Sequence, residues 1–304
     1  MKFTGTFFLL FLTVFNLKLT AQVIDSSYFE GIEKWRVNRN INMQKPDGWL
    51  SISGLFWLEQ GANQLGSGKN CNLKLNEKYN LPNLGTVVLT GEKAEFIPNK
   101  KLGITLETKT IIAKKITKKV VVNDDRSDDM SVFRLGDLSW FVIERSGRYA
   151  IRFRDNKSPK FANYKPIPNY EISTYWYREA RFFKHEKPLY IPTTTTGGGR
   201  DSVLSPGYLR FVIEDEVYSL DVMSEDEGNF FVVFGDYTNG DDTYGSGRFV
   251  YVEKPKEGNQ TIIDFNKAYN PPCAFTEFAT CPKPSENNFL KLAVRAGEKS
   301  LLDH

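Results

Sequence analysis

Apolar positions follow a helical rhythm near the start of the chain and then fall into short alternating runs. Tyr28, Ile32 and Trp35 stand at i, i+4 and i+7, behind a Ser27-Tyr28-Phe29-Glu30 segment with capping-box spacing. This predicts a helix from about Ser27 to about Met43, stopped by Lys45-Pro46-Asp47-Gly48, with Lys34, Arg36 and Arg39 on its solvated side. From Trp49 the runs shorten and recur roughly every ten residues, broken by Gly, Pro and Asn, which is the rhythm of an antiparallel sandwich. Strands are expected at 49–58, 72–75, 85–89, 94–97, 104–107, 111–113, 120–122, 131–135, 138–144 and 149–154, with a turn-rich return at 61–68.

Residues 158–172, Pro-rich and polar from Ser158-Pro159 to Pro166-Ile167-Pro168, read as a linker. Beyond it a second antiparallel unit is expected, with strands at 178–183, 189–196, 208–214, 216–222, 230–234, 243–253, 261–265 and 289–294. The organisation that follows is a leader at 1–21, the helix segment at 22–45, a β-sandwich at 46–157, the linker, and a C-terminal β unit at 173–304. The fold class is mainly β. The 23 Phe and 14 Tyr agree, since rings favour sheets over helical bundles.

The leader is read from Lys2, the apolar run at 7–15, too short to span a bilayer, and the small residue Ala21 at a cleavage position. It implies an exported protein, periplasmic or secreted, and no other run is long enough for a membrane span. Removing residues 1–21 takes away Lys2 and Lys18 and no acid, leaving 38 basic against 37 acidic residues. So balanced a surface has no footprint for nucleic acid or an anionic membrane.

In an oxidising compartment the closely spaced Cys273 and Cys281 are expected to form a disulfide, contributing about 2.5 kcal/mol, with Cys71 left as a small buried hydrophobe. Only His185 and His304 accompany the cysteines, so no metal site of the zinc type is expected. The acidic turn at 123–129 lacks the alternation and central Gly of a calcium loop. Gly197-Gly198-Gly199-Arg200 lacks the Lys-Ser/Thr and the following helix of a phosphate loop. No cofactor is implied.

Two stretches concentrate chemistry. In Asp236 to Arg248, Tyr244 and Arg248 are four apart and would share a face of a regular strand, with Asp236 close by in sequence. In Asp264-Phe265-Asn266-Lys267-Ala268-Tyr269-Asn270-Pro271-Pro272-Cys273, a strand end runs into a turn stiffened by two prolines. Asp236, Tyr244, Arg248, Asp264, Asn266 and Asn270 are therefore candidate ligand-binding residues. The structural alternative makes Asp236 and Arg248 an ion pair, and gives Asp264, Asn266 and Asn270 the task of bonding the backbone of their own loop. A Ser-His-acid triad fails for want of a base beyond His185.

Those motifs also carry a resemblance. Asp264-Phe265-Asn266-x-Ala268-Tyr269-Asn270-Pro271-Pro272-Cys273-Ala274-Phe275, Thr243-Tyr244-Gly245-x-Gly247-Arg248, Thr280-Cys281-Pro282, Asn288 and Ala296-Gly297-Glu298-Lys299 resemble the bacterial family called domain of unknown function 1684. Gly48-Trp49-Leu50, Gly54-Leu55-Phe56-Trp57-Leu58, Gly61, Asn63 and Gly66-Ser67 are similar to its N-terminal part, so the likeness runs from about Tyr28 to Lys299. The family implies architecture and no activity. The N-terminal part also resembles a forkhead-associated sandwich, although Gly66 is followed by Ser67 and no His lies between Trp49 and Tyr164, so its phosphopeptide site is not expected. The expectation is an exported binding or accessory protein taking a polar small molecule, glycan or peptide. The alternative is a hydrolase with Asp236 or Asp264 as acid/base, and a purely structural protein is third.

Overall fold

A computed structural model describes residues 26–195, 199–224 and 228–301. The expected leader and Gly197-Gly198 lie outside these residues. The chain opens with α1 (Ser26–Met43), close to the helix expected from periodicity, with Ile32 and Met43 almost fully buried. Its arginines depart from expectation. Arg36 Nη2 donates to Tyr170 O at 2.8 Å and Arg39 Nε to Glu298 Oε1 at 2.9 Å, so this side of the helix faces protein and not solvent. Long stems that bury while their heads find partners explain the difference.

The next strands are β1 (Ile52–Trp57), β2 (Gly61–Gly66), β3 (Leu73–Lys74), β4 (Gly85–Thr90), β5 (Lys93–Pro98), β6 (Thr105–Glu107), β7 (Lys114–Lys115), β8 (Val120–Val122), β9 (Val132–Leu135), β10 (Leu138–Arg145) and β11 (Arg148–Asp155). They form a sheet in the order β1-β11-β10-β9-β6-β7 and another in the order β3-β2-β4-β5-β8. All pairings are antiparallel except β2 with β3. Alternate side chains of the two sheets meet in one core, where Phe96, Phe133, Trp140 and Phe153 pack ring to ring. This is the sandwich, whose forkhead-associated likeness remains one of sequence. The segment 61–66 is a strand and not merely a turn. Residues 111–113 are not a strand, and Ile112 is 88% exposed there.

The first sheet is buried on both faces at β10 and β11. Trp140, Val142, Ile151 and Phe153 point into the sandwich, while Phe141, Ile143, Ala150 and Arg152 are buried on the other side. The β10–β11 hairpin turns through Ser146 (φ 54°) and Gly147 (φ 76°), both left-handed, a combination that matches the twist of the strands.

The remainder is a curled sheet of β12 (Tyr177–Thr194), β13 (Arg200–Ile213), β14 (Glu216–Ser224), β15 (Asn229–Phe234), β16 (Arg248–Glu253) and β17 (Gln260–Asp264). Its order is β16-β15-β14-β13-β12-β17, and its edge strands β16 and β17 approach each other around a core of Leu209, Phe211, Leu220, Val232, Val250, Ile263 and Phe265. The two strands expected at 178–183 and 189–196 are one strand, with an irregularity between Lys184 and Leu189.

The expected strand at 243–253 begins only at Arg248. Before it, Thr243 N and Oγ1 bond back to Thr238 and Gly247 sits at φ 90°, so Tyr244 and Arg248 are not strand neighbours on one face. Residues 289–294 are irregular as well, tied to Gly235 by a single bridge at Phe289.

The segment expected to link the two units is pinned to both. It carries α2 (Pro159–Ala162), and Lys160 Nζ donates to Ile52 O and Thr276 Oγ1, each at 2.9 Å. Asn40 Oδ1 of α1 accepts from Tyr164 Oη at 2.7 Å and Ile167 N at 3.0 Å. The helix, the sandwich and the C-terminal sheet are thereby held around one seam.

Candidate functional site

The six residues singled out from sequence serve the fold. Arg248, 0% exposed, donates through Nη2 to Asp236 Oδ2 at 2.9 Å and Val294 O at 2.7 Å, and through Nη1 to Ala296 O. The other oxygen of Asp236 accepts from Thr238 N at 2.8 Å, Thr238 Oγ1 at 2.6 Å and Val294 N at 3.2 Å. Tyr244 Oη donates to Cys273 O at 3.3 Å.

Asp264 belongs to a different cluster, in which its Oδ1 accepts from Tyr28 Oη at 3.0 Å and from Asn266 N and Nδ2 at 3.1 Å. Asn266 Nδ2 also donates to Ser173 O at 2.8 Å. Asn270 donates through its backbone to Glu298 Oε2 at 2.7 Å and through Nδ2 to Lys299 O at 2.8 Å. The pair Asp236–Arg248 is thus the ion pair of the structural alternative, and Asp264 bonds helix and strand end instead of joining Arg248. Burial is the physical reason, because a polar side chain sealed in a core finds its partners there, although Asp264 Oδ2, Asn270 Oδ1 and Arg248 Nε have no hydrogen bond.

A cavity lies beside this concentration of functional groups. Its volume is about 500 Å³, and it opens between α1, the outer face of β11 and the loop after β17. Trp35 and Arg39 come from α1, Trp49 from the turn before β1, Arg145 and Arg152 from the β10–β11 hairpin, and Phe231, Phe249 and Tyr251 from β15 and β16. The loop supplies Tyr269, Pro272, Ala279, Thr280, Cys281 and Pro282. None of the six sequence candidates lines it.

Local geometry fixes these walls. Tyr269 and Phe249 exchange both backbone bonds, at 2.8 and 2.9 Å, which seats the loop against β16. Tyr251 then stacks on Tyr269 with centroids 6.0 Å apart, and Phe231 and Phe249 meet edge to face at 4.8 Å. Arg39 lies 4.8 Å from the Tyr269 ring centroid, held by Glu298 and by Asn270 O at 3.0 Å.

The three guanidiniums differ in their partners. Arg39 has Glu298, and Arg145 has Asp125 Oδ2 at 2.7 Å. Arg152 is 5% exposed and has no ion pair among the described residues. Its Nη2 reaches Thr280 Oγ1 at 3.3 Å, and its Nε, also buried, has no hydrogen-bond partner. Burial, reinforced by repulsion from Arg145, pushes its pKa down to about 10, so it still carries its charge at neutral pH. Its thiol neighbour offers no counter-charge: the hydrogen bond with Cys273, then burial, raises the Cys281 pKa far above the ordinary thiol range. The cavity therefore holds one buried cation without an ion-pair partner among the described residues; Asp125, already paired with Arg145, attracts it only from a distance. The sequence signal for it was slight, an Arg at an alternating position of an otherwise apolar strand.

Contrary to expectation, Cys273 and Cys281 are not joined. Both remain thiols, as does Cys71, whose Sγ donates to Pro82 O at 3.2 Å. His185 lies away from the cavity, 3.6 Å from Asp221 Oδ1. A broader groove of about 920 Å³ on the outer face of β12, β13 and β17 has Arg178, Arg181 and Arg210 along it. Arg181 and Arg210 are exposed, so water can serve their heads, while Arg178 is half-buried, 4.2 Å from the Tyr175 ring centroid, with its Nε lacking a hydrogen-bond partner.

Residues 162–299 match the family described as protein of unknown function, DUF1684. The matched stretch starts beyond the sandwich, so the N-terminal likeness in sequence lies outside it. Five chains of solved structures match as well. Among them is the solution NMR structure of an uncharacterized protein from Haloarcula marismortui, 28% identical, covering 47% of this chain and 80% of that chain with a TM-score of 0.40. No curated protein matches.

Proposed function

We propose that this protein, whose residues 162–299 match the DUF1684 family, is a binding protein for a small organic anion, held in the cavity between α1, β11 and the Tyr269–Pro282 loop. One observation carries the reading: Arg152 is a buried cation without a carboxylate partner, directed at a cavity wall. An unpaired buried charge costs several kcal/mol, and a fold that keeps one is best explained by a ligand that neutralises it. Arg39 and Arg145 add donors, while Trp35, Phe231, Tyr251 and Tyr269 suit a flat or apolar body.

The lining side chains offer guanidinium, indole, phenol and hydroxyl groups but no carboxylate or carboxamide. Such a donor-rich set favours an acceptor-rich anion over a neutral glycan, whose hydroxyls also need acceptors. The same composition weighs against the hydrolase alternative, because Asp236 is 1% exposed with both oxygens bonded and neither it nor Asp264 reaches the cavity. Lys2, the apolar run at 7–15 and Ala21 support export, which would put this binding outside the cytoplasm.

The test compares 2-naphthalenesulfonate with its uncharged relative 2-naphthylmethanol, by quenching of the two cavity-side tryptophans Trp35 and Trp49. The sulfonate should bind roughly tenfold or more tightly, the worth of one charge-assisted hydrogen bond in a dry site. Equal affinity for the two, or full retention of sulfonate binding in Arg152→Met, would overturn the reading.

A further inference from the structure

We infer that Cys273 and Cys281 form a thiol oxidation site that sets the affinity of this cavity, an inference that rests on the cavity being a ligand site. The starting point is contact between two thiols in its wall. Cys273 N donates to Cys281 Sγ at 3.2 Å, and the side chains also hydrogen-bond each other. Cys281 is 4% exposed and faces the cavity beside Thr280, while Cys273 is half-buried.

Both thiols sit on anchored backbone. Cys273 lies in the single helical turn Pro272–Ala274, and its carbonyl accepts from Tyr244 Oη. Between the two, Thr276 Oγ1 donates to Ile52 O at 3.2 Å and accepts from Lys160. After Cys281, Lys283 N donates to Thr194 O at 2.8 Å and Pro282 bridges Thr195. Holding two reacting groups in contact removes most of the entropic barrier to joining them. Cys71, with its thiol bonded to a carbonyl elsewhere, is an internal control.

A low-molecular-weight disulfide is the oxidant required. The more accessible Cys273, as thiolate, attacks one sulfur of that disulfide, whose S–S bond breaks and releases one thiolate. Cys281 then loses its proton and attacks Cys273 Sγ, expelling the second thiolate. The two protons lost by the protein end on the two departing thiolates, so the dithiol is oxidised by two electrons and the small disulfide reduced by two.

An S–S bond of about 2 Å is much shorter than a hydrogen-bonded contact between thiols. Closure therefore draws Cys281 out of the cavity wall. Thr280 moves with it, and Arg152 loses the hydroxyl that holds it. The oxidised protein should bind the anion about tenfold more weakly, within the usual span of coupling between two sites.

The experiment titrates 2-naphthalenesulfonate into the full chain in dithiothreitol, after oxidation with oxidised glutathione, and after re-reduction. Cleavage after Glu277 separates the two cysteines unless they are bridged, so peptide mass reads the oxidation state directly. A Cys273–Cys281 bridge, a tenfold rise in Kd and its return on re-reduction are expected. Cys273→Ser should keep the reduced affinity in both conditions. The inference is overturned if oxidation leaves the two cysteines unbridged, or if bridging leaves Kd unchanged. If the reduced protein does not bind the sulfonate, the ligand site fails and the control of affinity falls with it, while the peptide masses still decide the oxidation site.

Discussion

Replacing Arg152 with Met separates a functional cation from a structural one, because the two predict opposite changes in stability. Burial and Arg145 together move the guanidinium from 12.5 to about 10. At 1.36 kcal/mol per pKa unit this is a penalty of roughly 3 kcal/mol on the charged folded state. Below about pH 10 both the folded and the unfolded chain carry the proton, so the penalty is present in full at neutral pH. Between about pH 10 and 12.5 the folded chain sheds the proton first and the penalty shrinks. Met keeps most of the apolar stem and removes the charge, giving up only the 3.3 Å bond to Thr280. Arg152→Met should therefore be more stable than the parent by about 1–3 kcal/mol, or roughly 2–8 °C in Tm. Urea titration at pH 7 measures the first quantity and calorimetry the second. In parallel, 2-naphthalenesulfonate at one hundred times its parental Kd should stabilise the parent by about 2.7 kcal/mol and the variant, with affinity at least tenfold weaker, by about 1.4 kcal/mol or less. A variant destabilised by 2 kcal/mol or more would show that Arg152 is structural and refute the reasoning.

Three further outcomes test the arrangement around the cavity. Trp35→Ala should weaken 2-naphthalenesulfonate severalfold while leaving competition by inorganic sulfate unchanged, as read by displacement titration, since the indole meets the ligand body and not its charge. Asp236→Asn should cost about 3–5 kcal/mol in urea unfolding, because it leaves the fully buried Arg248 without its counter-charge, yet the fraction that folds should bind the sulfonate with parental affinity. Gly297→Ala should cost at least about 2 kcal/mol, since Gly297 has φ 75° and an added Cβ would lie 2.3 Å from Ala268 O; a neutral change in Tm would contradict the close approach.

Periodicity in the sequence was enough for the helix and for most strands, because helix α1 and strands such as β10 and β11 announce themselves by where their apolar residues fall. It failed where backbone bonding is set by side chains far away. Residues 289–294 look like a strand, but Val294 N and O serve Asp236 and Arg248 instead of a neighbouring strand. Residues 243–247 look like the start of one, but Thr238 and Thr243 close a polar turn. The site was half legible. The Tyr269–Pro282 loop stood out as a concentration of functional types, and it does form one wall. Its partners Trp35, Arg39, Arg145 and Arg152 are separated from it by more than a hundred residues, and no local pattern joins them.

The residues that drew attention in sequence and the residues that face the cavity are related by cause. An unpaired buried arginine is tolerable only in a fold with stability to spare and a rigid wall opposite it. The conspicuous polar residues supply that rigidity. Glu298, 1% exposed, holds Asn270 N and Arg39 at once, so one carboxylate fixes both the loop and a cationic wall of the cavity. Arg248 gathers the backbone carbonyls of Val294 and Ala296 against Asp236, which keeps the segment leading to Glu298 in place. Tyr244 holds the loop at Cys273 and Lys160 holds it at Thr276. What these contacts deliver to the cavity is small: Thr280 and Cys281, placed against Arg152. The proposed ligand contacts thus fall on neighbours of the conspicuous residues.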